Sequence, residues 1–196
     1  SRLGGVLVAA GDDHTCESST TCHQSELALI DAMIPILSPA GMQELLDFSL
    51  HGWAMSRFSG CWVGLKSVKD TIEATAVVNG DPFRVDVKLP KTPEGQNHNI
   101  RLGDTPQRQE ARLHESKIPA VQVYARENRI DRRMHGAPGA RVGLVASGKS
   151  WLDLVHALEL LDLGDDALRR IGITTYKVGM VWPLDPKGLN EWCAGL

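Results

Sequence analysis

The chain has 196 residues, enough for one full domain or two small ones. A hydrophobic share of 42% supplies core material and excludes a disordered tail, while 21 Lys plus Arg against 24 Asp plus Glu excludes the concentrated basic surface that broad nucleic-acid binding needs. Four cysteines exclude a disulfide scaffold, and the absence of a signal peptide or of an apolar run of about twenty residues excludes a membrane span.

The opening, Ser1-Arg2-Leu3-Gly4-Gly5, lacks an initiating Met and drops straight into a strand, so it reads as a piece cut from something longer. The apolar run from Val6 to Ala10, stopped by Gly11-Asp12-Asp13, suits a parallel strand buried on both faces. A Ser/Thr-rich loop follows and leads into a short helix, ELALIDAM, with Ser25 or Thr21 as its cap. IPILSP reads as a second short strand. In the next helix, Met42, Leu45, Leu46, Ser49, Leu50 and Trp53 fall on one stripe expected to face a sheet, Gly52 is tolerated within it, and Gly60 is a stop. CWVGLKSV supplies a third strand. This βαβαβ order predicts a mostly parallel sheet with helices on its faces.

After Asp70 the pattern changes. TIEATAVV and PFRVDVKLP read as β-rich segments, the second alternating as Phe83, Val85, Val87 and Leu89. Residues 90–110 are polar and broken by Pro90, Pro93 and Pro106, as a connector is. Residues 107–133 are charge-laced and predict a helix with a solvated face that continues past Pro119. Beyond Gly136-Ala137-Pro138-Gly139, ARVGLVASG predicts another buried strand. The helix after it has Ser150 and Asp153 at capping-box spacing and a buried stripe of Trp151, Leu154, Val155, Leu158 and Leu161. ITTYKVGMVWPLD is a strand and its exit, so a second α/β unit begins here.

Two constellations invite chemistry. Gly143 to Ser150 matches the phosphate-loop spacing G-x-x-x-x-G-K-[ST], although Leu144-Val145-Ala146 look like strand interior. A small nucleotide-binding module is therefore one alternative, and Gly148-Lys149-Ser150 would in any case stand at a helix N-terminus. Asp12, Asp13, His14, Cys16, Cys22 and His23 crowd the first loop, at the carboxyl end of a strand, where α/β domains place ligands. Zinc is a weak reading because five residues separate the two cysteines and no C-x₂₋₄-C knuckle exists. A non-catalytic interaction or metal-binding domain is the other alternative, and a purely structural loop is also open. Cys61 reads as a small buried hydrophobe, Cys193 as a bystander, and His51 and His156 as packing or surface residues.

The GG-strand-GDD opening, the SS-x-x-x-HQSE loop and helix, IPIL-x-P-A, LHGWAMSRFSG and CWVGLKSV together resemble the 2-oxoacid:ferredoxin oxidoreductase family, nearest its indolepyruvate branch in the alpha-like region. VGLVASGKSWLDLVHAL and GITTYKVGMVWPLDP carry a second match. The resemblance spans roughly residues 4–75 and 140–188. It implies a three-layer αβα, mostly parallel sheet over residues 1–78, the second half of a pyrimidine-binding domain. Residues 79–139 would be a β-rich and helical connector, and 140–196 the start of a transketolase C-terminal-like α/β domain.

The resemblance further implies a multidomain cytoplasmic enzyme that uses thiamine diphosphate and Mg²⁺. Such an enzyme oxidatively decarboxylates an arylpyruvate with coenzyme A and passes electrons through iron–sulfur clusters to ferredoxin. In the family the glutamate that protonates the aminopyrimidine lies upstream of the GG-strand, and the GDG-type diphosphate and metal motif lies in a later domain. No residue here is therefore expected to be catalytic or to hold metal, and the isolated chain is expected to bind no cofactor and to be inactive. Asp12, Asp13, Ser18, Ser19, His23, Gln24 and Glu26 are the residues expected to border the cofactor cleft or a subunit interface. An open sheet edge predicts a homo-oligomer; neither nucleic acid nor membrane is an expected partner.

Overall fold

A computed structural model describes residues 3–92 and 97–196. Pro93, within the proline-broken connector, and Ser1 and Arg2 of the opening lie outside the described residues. The fold is mixed α/β, with two sheets.

The first sheet has the order β1 (Leu7–Asp12), β3 (Val63–Val68), β2 (Ile36–Leu37), β7 (Met180–Trp182). β1 and β2 both run parallel to β3, and the register places Leu7 opposite Val63 and Asp12 opposite Val68. The parallel strands are connected through α1 (Glu26–Asp31) and α2 (Met42–Ser59), as parallel neighbours require. Gly60 closes α2 in the left-handed conformation, with φ 70°, and its amide returns to the Ser56 carbonyl. β7 runs antiparallel to β2.

The second sheet has the order β4 (Arg132–His135), β6 (Ile173–Val178), β5 (Val142–Ser147), with β5 parallel and β4 antiparallel to β6. Only Gly179 separates β6 from β7, so one stretch of chain serves both sheets.

The edge positions correct two expectations. β1 and β5 are both apolar enough for full burial, yet each is an edge strand and only partly covered, with Val142 and Val145 about half exposed. The buried centre of the second sheet is β6, despite the Thr174, Thr175 and Lys177 in its sequence. An apolar run makes burial favourable, but pairing order decides which strand receives it.

α2 also turns a different face inward. Phe48, His51, Gly52, Met55, Ser56 and Ser59 are buried, whereas Leu46 and Trp53 of the expected stripe are about 40% exposed. The serines are satisfied internally: Ser59 Oγ donates to the Met55 carbonyl at 2.8 Å and Ser56 Oγ to that of Cys61 at 2.6 Å. With its own groups bonded, a small polar residue can occupy a core face. At Gly52 a Cβ would press on Leu7, so this glycine permits the close crossing of α2 over β1.

The β-rich reading of residues 71–90 fails, because no strand forms there. α3 (Lys69–Ile72) continues directly from β3, and Pro82–Arg84 is a single 3₁₀ turn begun by Asp81, whose side chain accepts from the Phe83 amide. Val77, Phe83 and Leu89 stay exposed. Alternation needs a partner ladder to become a strand, and this segment is instead fastened to α2 by the Arg84–Asp47 ion pair and by the Asn79 amide, which donates to Gln43 at 2.8 Å.

α4 (Pro106–Arg112), a π turn (Leu113–Lys117) and α5 (Ile118–Glu127) form one helical run, and Pro119 stands directly after the π turn, where the altered hydrogen-bond spacing accommodates a residue without an amide. α5 is more than a solvated face. Its Val121, Tyr124 and Ala125 join Phe48, Met55, Val63, Ile130 and Met180 in the main core. The run ends before Arg132, which enters β4.

α6 (Gly148–Leu160), α7 (Asp165–Ile171) and α8 (Pro186–Ala194) accompany the second sheet, and Trp192 of α8 packs with Tyr176 and Val178. The capping box does not form: the residue preceding α6 is Ser147, without a side-chain cap, and Lys149 pairs with Asp153 at 2.6 Å. Trp151 and Leu158 are buried, but Leu161 lies past the helix and is exposed.

Candidate functional site

The site is the loop between β1 and α1. Asp12 ends β1 and is 2% exposed. Its carboxylate accepts the Ser25 amide at 3.1 Å and the Ser25 hydroxyl at 3.1 Å. Ser25 thus precedes α1 as expected, but its hydroxyl bonds Asp12 rather than capping the helix. Asp13 points the other way along the loop and collects the amides of Glu17, Ser18 and Ser19 at 3.2, 2.7 and 2.9 Å. These bonds, Ser18's first, hold the Asp13 carboxyl below its ordinary range. His23 closes the loop, with Nε2 3.1 Å from the Gly11 carbonyl.

Beneath the loop lies Lys66 of β3, a residue the sequence reading passed over. Lys66 is 8% exposed; its ammonium is 3.5 Å from Asp12 Oδ2 and pairs with Glu26 Oε1. Burial pushes this ammonium below its usual range, and Asp12 opposes that shift. Glu26 Oε2 is buried without a hydrogen-bond partner among the described residues. The available signal was a lysine interrupting the apolar VGLKSV run, since a charge in a buried strand needs a partner. Lys69, just past β3, pairs with Glu17 and ties the outer end of the loop to α3.

The seven expected residues therefore form two groups. Asp12, Asp13 and Glu26 hold the loop from within, whereas Ser18, His23 and Gln24 are exposed and Ser19 is half-buried. His14, Cys22, His23 and Gln24 line an open cleft of about 410 Å³. Cys16 and Cys22 face each other across the loop, sulfur to sulfur at 3.1 Å. Among the described residues no three His, Cys, Asp or Glu side chains gather as a metal ion would require. Asp12 and Asp13 are committed to Ser25, Lys66 and backbone amides and Glu26 Oε1 to Lys66, which leaves Glu26 Oε2 as the one inward carboxylate oxygen of this trio without a partner among the described residues.

Gly143 to Ser147 lie in β5, so most of the phosphate-loop spacing falls on strand interior and forms no cradle. Gly143 is small because the Trp192 ring occupies the space of a Cβ. Gly148 does approach the first sheet's carboxyl edge, where a Cβ would come within 2.7 Å of Ser38 Oγ. Lys149 is occupied by Asp153. Of the histidines, His51 bonds Tyr124 within the core, with Nδ1 3.1 Å from the hydroxyl, and His156 is exposed.

Residues 132–196 match the indolepyruvate oxidoreductase domain. Over 98% of its length the chain is 24% identical to the indolepyruvate oxidoreductase subunit IorA of Methanothermobacter thermautotrophicus, and the match covers 30% of that protein. The same subunit of Pyrococcus abyssi is 24% identical over 96% of the chain, with 28% of that protein covered. The chain thus spans less than a third of these relatives. The fold also superposes on the 2-oxoglutarate:ferredoxin oxidoreductase of Magnetococcus marinus, solved with 2-oxoglutarate, coenzyme A and succinyl-CoA. There the TM-score is 0.57 at 14% identity, covering 96% of this chain and 39% of that one. The second sheet and its helices thus match the indolepyruvate oxidoreductase domain, and nearly the whole chain aligns with part of two IorA subunits.

Proposed function

We propose that these residues are a segment of a thiamine diphosphate-dependent oxidoreductase that decarboxylates indolepyruvate or a related arylpyruvate. The acyl group would pass to coenzyme A and the electrons, through iron–sulfur clusters, to ferredoxin. The observation that carries this reading is the alignment of almost the whole chain with two IorA subunits. In this reading residues 1–78 are the second half of the pyrimidine-binding domain, 79–139 the connector and 140–196 the start of the transketolase C-terminal-like domain.

The loop contributes shape. Asp12 and Glu26, bridged by Lys66, hold it against β3, and Asp13 gathers its amides into a tight turn. Ser18, Ser19, His23 and Gln24 then present a polar wall bordering the cofactor cleft or a neighbouring subunit. The chemistry of decarboxylation belongs to the thiazolium ring of the cofactor, and no step of it is assigned to a residue of this chain.

The test uses the longest open reading frame that contains these residues, expressed whole and supplied with thiamine diphosphate, Mg²⁺, coenzyme A and ferredoxin. Ferredoxin reduction with indolepyruvate or phenylpyruvate is the expected result. Preference for 2-oxoglutarate would overturn the arylpyruvate assignment, and no reduction with any 2-oxoacid would overturn the whole reading. The purified 196-residue chain is expected to give no turnover under the same conditions.

A further inference from the structure

The two cysteines of the β1–α1 loop are not explained by its scaffolding role. Cys16 Sγ and Cys22 Sγ stand 3.1 Å apart, about 1 Å beyond a covalent S–S bond. Their approach is imposed from both sides by separate anchors. Cys16 lies inside the turn collared by Asp13, with φ 57°, a conformation held by the amides of Glu17, Ser18 and Ser19 on that carboxylate. Cys22 adjoins His23, whose ring bonds the Gly11 carbonyl. Cys22 is exposed and lines the open cleft, while Cys16 is half-buried behind it. The Cys16 thiol is pushed up to about 11, first by its hydrogen bond to Cys22, so it retains its proton at neutral pH. The other two cysteines have no thiol neighbour: Cys61 is buried beneath α2, and Cys193 is exposed on α8.

We propose that Cys16 and Cys22 are a reversible dithiol–disulfide couple, oxidised by a low-molecular-weight disulfide that enters the cleft at Cys22. The Cys22 thiolate attacks one sulfur of the external disulfide RSSR, forming a mixed disulfide and releasing RS⁻, which takes a proton from solvent. Cys16 then loses its proton to solvent and attacks the Cys22 sulfur. The second RS⁻ leaves and is protonated in turn. Two protein thiols are oxidised to one disulfide, and one RSSR is reduced to two RSH. Closure draws together the two ends of the turn that presents Ser18 and Ser19, so the couple sets the shape of the loop's outer wall. This inference does not depend on the assigned activity.

The experiment incubates the Cys193→Ser chain, whose remaining accessible thiols are the loop pair, with glutathione disulfide, followed by acid quench, N-ethylmaleimide labelling and peptide mass spectrometry. The expected product is a Cys16–Cys22-linked peptide lighter by two hydrogens, carrying no glutathione and reopened by dithiothreitol. A chain with Cys16→Ser added is expected to retain glutathione on Cys22. Residues so near in sequence also meet in an unfolded chain, so the rate is compared in urea, where closure is expected to slow by about tenfold once prearrangement is lost. A persistent glutathione adduct on Cys22 with Cys16 free, no reaction at either thiol, or equal rates folded and unfolded would each overturn the proposal.

Discussion

Asp131 shows how one buried carboxylate can carry both an asset and a liability. Its Oδ1 accepts the amides of Gly179 and Met180 at 2.7 and 2.9 Å, at the point where the chain passes from one sheet to the other. Its Oδ2 is buried without a partner among the described residues, and burial pushes the group up to about 6. The folded chain therefore binds this proton more tightly than the unfolded chain, whose aspartate titrates near 4. Stability is expected to fall by roughly 3 kcal/mol as pH rises through that window. Asp131→Asn keeps an oxygen for both amides and removes the buried charge. Thermal unfolding is expected to show a higher Tm at pH 7 and a flatter profile between about pH 4 and 6; an unchanged or lowered Tm at pH 7 counts against it. Lys66 is the opposite case, a cation whose removal strands Asp12 and Glu26. Lys66→Met is expected to lose about 3 kcal/mol by urea titration, with part regained on adding Asp12→Asn. Equal loss in the single and double variants would contradict this. Asp12 and Asp13 stand out in the sequence because they stop the apolar run of the first strand. Lys66 does not, because its partners lie on β1 and α1, far from it in the chain.

At the scale of elements, most helices and strands were readable, but their faces were not. α2 was legible as a helix ended by Gly60, yet its inward side carries Ser56, Ser59 and Gly52. Residues 71–90 have the composition of strands and form none, since β1 occupies the open side of β3 and α2 takes the segment instead. Gly179 illustrates how little room remains between elements. A Cβ there would lie 2.6 Å from the Ile130 carbonyl oxygen and 2.8 Å from the Phe48 ring. Backbone cannot step aside cheaply, so Gly179→Ala is expected to destabilise the chain by about 2 kcal/mol or more. Chemical denaturation measures this directly, and a neutral outcome would mean that the β6–β7 junction sits against Ile130 and Phe48 more loosely than the contacts imply.

At the scale of the molecule, the two sheets are joined by covalent continuity through Gly179 and by buried charge. Lys177 of β6, 3% exposed, pairs with Glu44 of α2, which also meets Arg132 of β4 at 3.3 Å. The edge strands β1 and β5 remain open to pairing. The purified chain is accordingly expected to self-associate, with an average mass by sedimentation that rises with concentration. A single species at monomer mass across that range would contradict it. Among the described residues no helix is long and apolar enough to cross a membrane.

By itself the sequence determined local matters: where β1, β2, α2, β3 and β5 lie, that β1 and β2 run parallel to β3, and that polar residues gather at the end of the first strand. These follow from hydrophobic period, glycine stops and turn chemistry, which act over a few residues. Only the tertiary structure decided which strands are central, which face of α2 is buried, and that Lys66 lies between two carboxylates with two thiols held in contact above them. Each of these depends on partners remote in the chain, because pairing order and the matching of buried charges are properties of the assembled core.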